Sequence, residues 1–134
     1  MLSTLRLQLE DIVEASVREA LQETTVPVPT IELERTKEKI HGDFSCNVSL
    51  RLAKDLKKNP VQIAQTIVPI ITSKVEKSFV RGAVEKIEVK NPGFINFYLT
   101  PASFFPELKE VLKKNKNYGR STCGQGKRVQ IEFV

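Results

Sequence analysis

The chain has 134 residues, 40% of them hydrophobic and 28% charged, which is the length and balance of one ordinary globular domain with its own core. No apolar run approaches the roughly 20 residues that span a bilayer, and no basic-then-apolar leader opens the chain, so a membrane-spanning helix is excluded and the cytoplasm is the expected compartment. The formal net charge of +5 is uneven: residues 1–30 hold two basic and five acidic side chains, residues 91–134 seven basic and three acidic. A basic C-terminal part admits two readings, an acidic partner such as nucleic acid or a merely solubilising surface.

Leu5, Leu9, Ile12, Ser16, Val17, Ala20 and Leu21 recur at spacings of three and four, which predicts an amphipathic helix from about Ser3 to Gln22. Pro27 and Pro29 cannot continue it, and the alternation Ile31-Glu32-Leu33-Glu34-Arg35 then reads as a half-buried strand. Thr36 to Ile40 has no period and is a turn or a short second strand before Gly42. Asp43 or Ser45 is placed to cap a second helix that carries Val48, Leu50, Leu52, Ala53 and Leu56 and ends at Lys57-Lys58.

Asn59-Pro60 has the form of an N-cap followed by proline at the first helical position. The third helix it opens carries Ile63, Ala64, Ile67, Ile70, Ile71 and Val75, with Pro69 expected to kink or divide it. Val84 to Val89 and Phe94 to Leu99 are β-rich runs joined by Lys90-Asn91-Pro92-Gly93, which predicts a hairpin. Thr100-Pro101 repeats the cap-then-proline start, and Phe104, Phe105, Leu108, Val111 and Leu112 mark a last helix that ends near Lys114, with Pro106 kinking or delaying it. The fold class is therefore α+β, a two-layer arrangement in which an antiparallel sheet of about four strands packs against helices.

Residues 116–127 are rich in Asn, Gly, Ser and Lys and read as a linker that closes a domain spanning 1–115; residues 128–134 alternate like a strand. Cys46 and Cys123 stand far apart without CxxC spacing, so reduced thiols are expected and neither a metal site nor a disulfide. His41-Gly42-Asp43 sets the lone histidine beside a carboxylate; no nucleophile accompanies it, and a tight turn whose aspartate caps the next helix accounts for it. No catalytic residue emerges.

The hairpin is the sharper candidate. Strand alternation puts Phe94 and Asn96 on one face and Ile95 and Phe97 on the other, with Asn91 in the turn before them. If Ile95 and Phe97 fill the core, Phe94 and Asn96 point outward together, a flat ring beside an amide, which suits an unstacked RNA base. An aromatic hairpin is also simply a core element, and the residues alone leave both readings open.

The order of Gly-Asp-Phe, Asn47-Val48-Ser49-Leu50-Arg51-Leu52-Ala53-Lys54, Lys58-Asn59-Pro60 and Lys90-Asn91-Pro92-Gly93-Phe94-Ile95-Asn96-Phe97 resembles the N-terminal additional domain of arginyl-tRNA synthetases, from about Leu5 to the end. The resemblance implies that the parent protein joins arginine to tRNA(Arg) with ATP. It also implies that this part contacts the D-loop at the outer corner of the tRNA. The family's asparagine, aromatic and amide for a D-loop base fall at Asn91, Phe94 and Asn96, although the last is often glutamine in the family. Lys86 and Lys90 are candidate phosphate contacts.

Residues 129–134 resemble the strand that leads into the catalytic domain, so residues 128–134 are expected to begin that domain. ATP and arginine would be bound there, with no cofactor in residues 1–115, and the chain by itself is expected to be inactive. A free-standing RNA-binding or regulatory module of the same fold is the alternative, and a protein-interaction domain using the first helix is a third reading.

Overall fold

The computed structural model describes residues 2–133. Helix α1, Leu2–Ala20, buries Leu5, Leu9, Val13 and Val17 in a stripe that Leu21 continues beyond the helix; Ile12 is only partly buried and Val13 takes the central place. The helix is tied down at two points: Glu10 Oε1 accepts from the Leu33 backbone N–H at 2.8 Å, and Glu19 pairs with Lys74 at 2.7 Å. Its apolar stripe is thus spent on the core.

The first strand, β1, is confined to Glu34–Arg35, because only these two residues pair with a neighbour. That neighbour, β2, is Phe44–Cys46, where a helix cap was expected. Lys39–His41 forms one 3-10 turn, and Gly42 follows with φ +81; a Cβ there would stand 2.5 Å from the Phe97 carbonyl oxygen, so the close crossing of turn and sheet requires glycine. Asp43 caps no helix. Its Oδ2 accepts from the Leu99 N–H at 2.8 Å, since β2 lies between it and the next helix, α2, Val48–Leu56.

Helix α3, Pro60–Glu76, starts as its sequence implies: Asn59 Oδ1 accepts from the Val61 N–H at 2.8 Å and Pro60 takes the first turn. Pro69 does not divide it. The residue lies on the exposed side, where the missing N–H leaves the carbonyl of the preceding turn to water. The hairpin consists of β3, Val84–Lys90, and β4, Phe94–Leu99. Pro101–Phe104 then turns as a 3-10 helix, and α4, Phe105–Lys114, begins only there, delayed with Pro106 in its first turn.

The four strands form one antiparallel sheet in the order β1-β2-β4-β3. Helices cover one face, and Phe97 and Ile95, fully buried, meet them together with Leu9, Ile67 and Ile71. The α+β, two-layer architecture is as the sequence implies. Residues 118–133 contain turns but no helix or strand. The alternation of Arg128 to Phe133 is not realised, because a strand needs a partner for its N–H and C=O groups and none of the four lies beside it; Val134 is outside the described residues. Both cysteines are free thiols.

Candidate nucleic-acid interface

The helices leave the other face of the sheet uncovered. Register defines what stands on it: Glu34, Ser45, Asn96 and Glu88 form one row across all four strands, and Phe94 and Lys90 are paired in the row beside it. Asn91, Phe94 and Asn96 line a single open concavity of about 430 Å³, with Lys90 on their side and Arg35 and Lys37 on the other. Alternation along β4 sets Phe94 and Asn96 here by the same step that sends Ile95 and Phe97 into the core.

The turn that carries Asn91 is fixed from beneath. Gly93 has φ +151, and a Cβ on it would stand 2.5 Å from the Pro60 Cβ at the start of α3. The Gly93 N–H donates to the Lys90 carbonyl at 2.8 Å, closing the turn. Asn91 is exposed at its tip and Phe94 is half-buried, its ring bordering the concavity. Asn96 stands apart from both. It is 3% exposed, and its Oδ1 accepts from the Ser45 hydroxyl at 2.8 Å. Outward-facing it is, but neighbouring strands close around it, and this enclosure follows from register, which alternation along one strand does not reveal.

The two candidate phosphate lysines share one carboxylate. Glu88 pairs with Lys86 at 2.8 Å and with Lys90 at 3.1 Å, and these hydrogen bonds, Lys86's first, hold its carboxyl down to about 2. The same bond to Glu88 raises Lys86 above its ordinary range, and its Nζ also sits 4.2 Å from the Tyr98 ring centroid. Of the pair only Lys90 borders the concavity. Exposed pairs of this kind are weak in water, so a phosphate can exchange for Glu88 without a large loss.

Sequence reading missed Arg35, Lys37 and Ser45. Arg35 and Lys37 lie at and just after the end of β1 and become neighbours of β4 only through β2, a pairing with no local signal. His41 also borders the concavity, 4.0 Å from Glu38, while Asp43 is engaged by Leu99; the pair forms no acid–base dyad. Among the described residues no cluster of three metal-ligating side chains occurs, and no helix is long and apolar enough to cross a membrane.

Comparison with known proteins gives a consistent answer. The family described as "Arginyl tRNA synthetase N terminal domain" matches residues 8–99. The arginine–tRNA ligase of Herminiimonas arsenicoxydans is 39% identical over 134 residues, covering all of this chain and 22% of the relative. That of Oceanobacillus iheyensis is 42% identical over 127 residues, covering 95% and 22%. Among solved structures, arginyl-tRNA synthetase from Thermus thermophilus is 27% identical with a TM-score of 0.57, covering 77% of this chain and 15% of that one. The Plasmodium falciparum enzyme, 17% identical with a TM-score of 0.60 over 80% of this chain and 18% of its own, shares the fold. The chain thus spans about a fifth of the length of the curated relatives it matches.

Proposed function

The chain belongs to the arginyl-tRNA synthetase N-terminal domain family, and from that premise we propose that it is the tRNA-recognition part of an arginine–tRNA ligase, holding a D-loop base of tRNA(Arg) on its open sheet face. One observation carries this reading: Asn91, Phe94 and Asn96 line one concavity whose rim holds Lys90, Arg35 and Lys37. The ring of Phe94 offers a stacking surface to a base turned out of its loop, and the amides of Asn91 and Asn96 offer hydrogen bonds to its edge. Lys90 and Lys37 suit the flanking phosphates and make binding fall with salt.

Joining arginine to tRNA with ATP belongs, on this reading, to the catalytic domain that residues 128–134 begin, in a cytoplasmic enzyme. Residues 1–115 supply orientation and affinity, and the chain alone forms no arginyl-tRNA. The test is titration of tRNA(Arg) into the wild type and Phe94→Ala. Base–aromatic stacking is worth about 1–3 kcal/mol, so affinity should fall about fivefold to 150-fold. The urea midpoint should change little, because the ring is only half-buried. Unchanged affinity in a folded variant overturns the proposal.

A further inference from the structure

Asn96 is held in one orientation, and this decides what it offers a ligand. Ser45 faces it across the β2–β4 ladder, and the hydroxyl donates to Asn96 Oδ1 at 2.8 Å. A hydroxyl carries a single proton, so this bond uses that proton and engages the acceptor end of the amide. The reverse orientation, with Nδ2 against the hydroxyl, would deprive the Ser45 proton of the one acceptor it has among the described residues.

The donor end is left over. Ser49 Oγ is the one sealed side-chain polar atom without a partner among the described residues, so Nδ2 of the nearly enclosed Asn96 keeps access to solvent, and Asn96 borders the concavity. A ligand that covers Nδ2 must replace that water with an acceptor, because an N–H buried without one is disfavoured.

Building on the D-loop reading, we infer that Ser45 is a positioning residue that turns Asn96 from an amide able to donate or accept into a donor, so that the site selects a base presenting an acceptor at that edge. Uracil presents O4 where cytosine presents an amino group, and adenine presents an unprotonated N1 where guanine carries N1–H. Within each pair the first base meets Nδ2 with a lone pair and the second meets it with a hydrogen. The inference concerns which bases bind. The D-loop reading concerns whether a base binds at all.

The experiment uses tRNA(Arg) transcripts in which the D-loop contact nucleotide is U, C, A or G in turn, titrated into wild type, Ser45→Ala, Ser45→Thr and Phe94→Ala. Wild type should bind U over C and A over G by about tenfold each, a ratio in keeping with the net worth of one hydrogen bond. In Ser45→Ala the amide is free to turn over and both ratios should drop below about threefold, while Ser45→Thr, which keeps the hydroxyl, should restore them. Equal wild-type affinities within both pairs, or a preference that survives in Ser45→Ala, overturn the inference. If Phe94→Ala weakens all four transcripts and the wild-type ratios are flat, only the inference falls. If no variant alters binding of any transcript, the D-loop reading falls and takes the inference with it.

Discussion

Replacing Gly93 by alanine tests how the recognition turn is built. The residue has φ +151, which L side chains rarely adopt, and the new Cβ would be 2.5 Å from the Pro60 Cβ and 3.1 Å from its carbonyl carbon. Pro60 cannot retreat, because its ring is rigid and its backbone forms the first turn of α3, fixed by the Asn59 cap. Backbone strain of about 1–2 kcal/mol and overpacking of about 1–3 kcal/mol together give a loss of roughly 2–5 kcal/mol. That is a large share of the roughly 5–15 kcal/mol that holds a domain folded. Urea unfolding followed by circular dichroism measures it, with Gly82→Ala as the control, since a Cβ at Gly82 meets nothing within 4 Å. A loss below about 1 kcal/mol for Gly93→Ala, or equal losses for the two variants, would refute the claim that the turn is seated on the start of α3.

Phe97 is fully buried between sheet and helices, so Phe97→Ala should lose about 3–5 kcal/mol in the same assay, whereas Phe94→Ala, three strand positions nearer the turn on the opposite face, should lose far less. Glu88 should titrate at about 2 when followed by carboxyl NMR, and Lys86→Met should move that midpoint upward. Because the folded value lies below the ordinary 4.5, the stability Glu88 contributes is complete above that value and is lost as pH falls from about 4.5 through about 2. A wild-type midpoint near the ordinary value would show that the lysine contacts are absent in solution. Cys46 is buried, which pushes its thiol up to about 11, while Cys123 is exposed. A thiol reagent at neutral pH should therefore modify one cysteine in the folded chain and two in urea.

What the sequence disclosed follows the range of the interaction concerned. The helices α1 and α3 were legible because their apolar periods run over many residues and Asn59-Pro60 marks a start by local chemistry. The hairpin was legible because its turn and both strands are contiguous. The strand Phe44–Cys46 was not, since three residues carry no measurable alternation and their extension is set by pairing with β4, some fifty positions away. The same cause shortened β1 and freed Asp43 from the helix cap.

The candidate site shows the same division. Strand alternation put Phe94 and Asn96 on one face, a strictly local property. That Ser45 would reach Asn96 and that Arg35 and Lys37 would border the same concavity depend on which strands are neighbours, whereas the hold of Glu88 on Lys86 and Lys90 lies within β3, at alternate positions of one strand. Of these, the Ser45 contact matters most chemically, because it changes what the amide of Asn96 can offer.

The most direct test of the account is to map where tRNA(Arg) meets the chain, by following backbone and side-chain amide signals during an NMR titration at two salt concentrations. The account predicts shifts confined to the open sheet face, at Asn91, Phe94, Asn96, Ser45 and the segment Arg35 to Lys37, with weaker binding at the higher salt. Shifts concentrated on the exposed sides of α1 and α3, on the opposite layer, would contradict it, and so would a spectrum that tRNA(Arg) leaves unchanged.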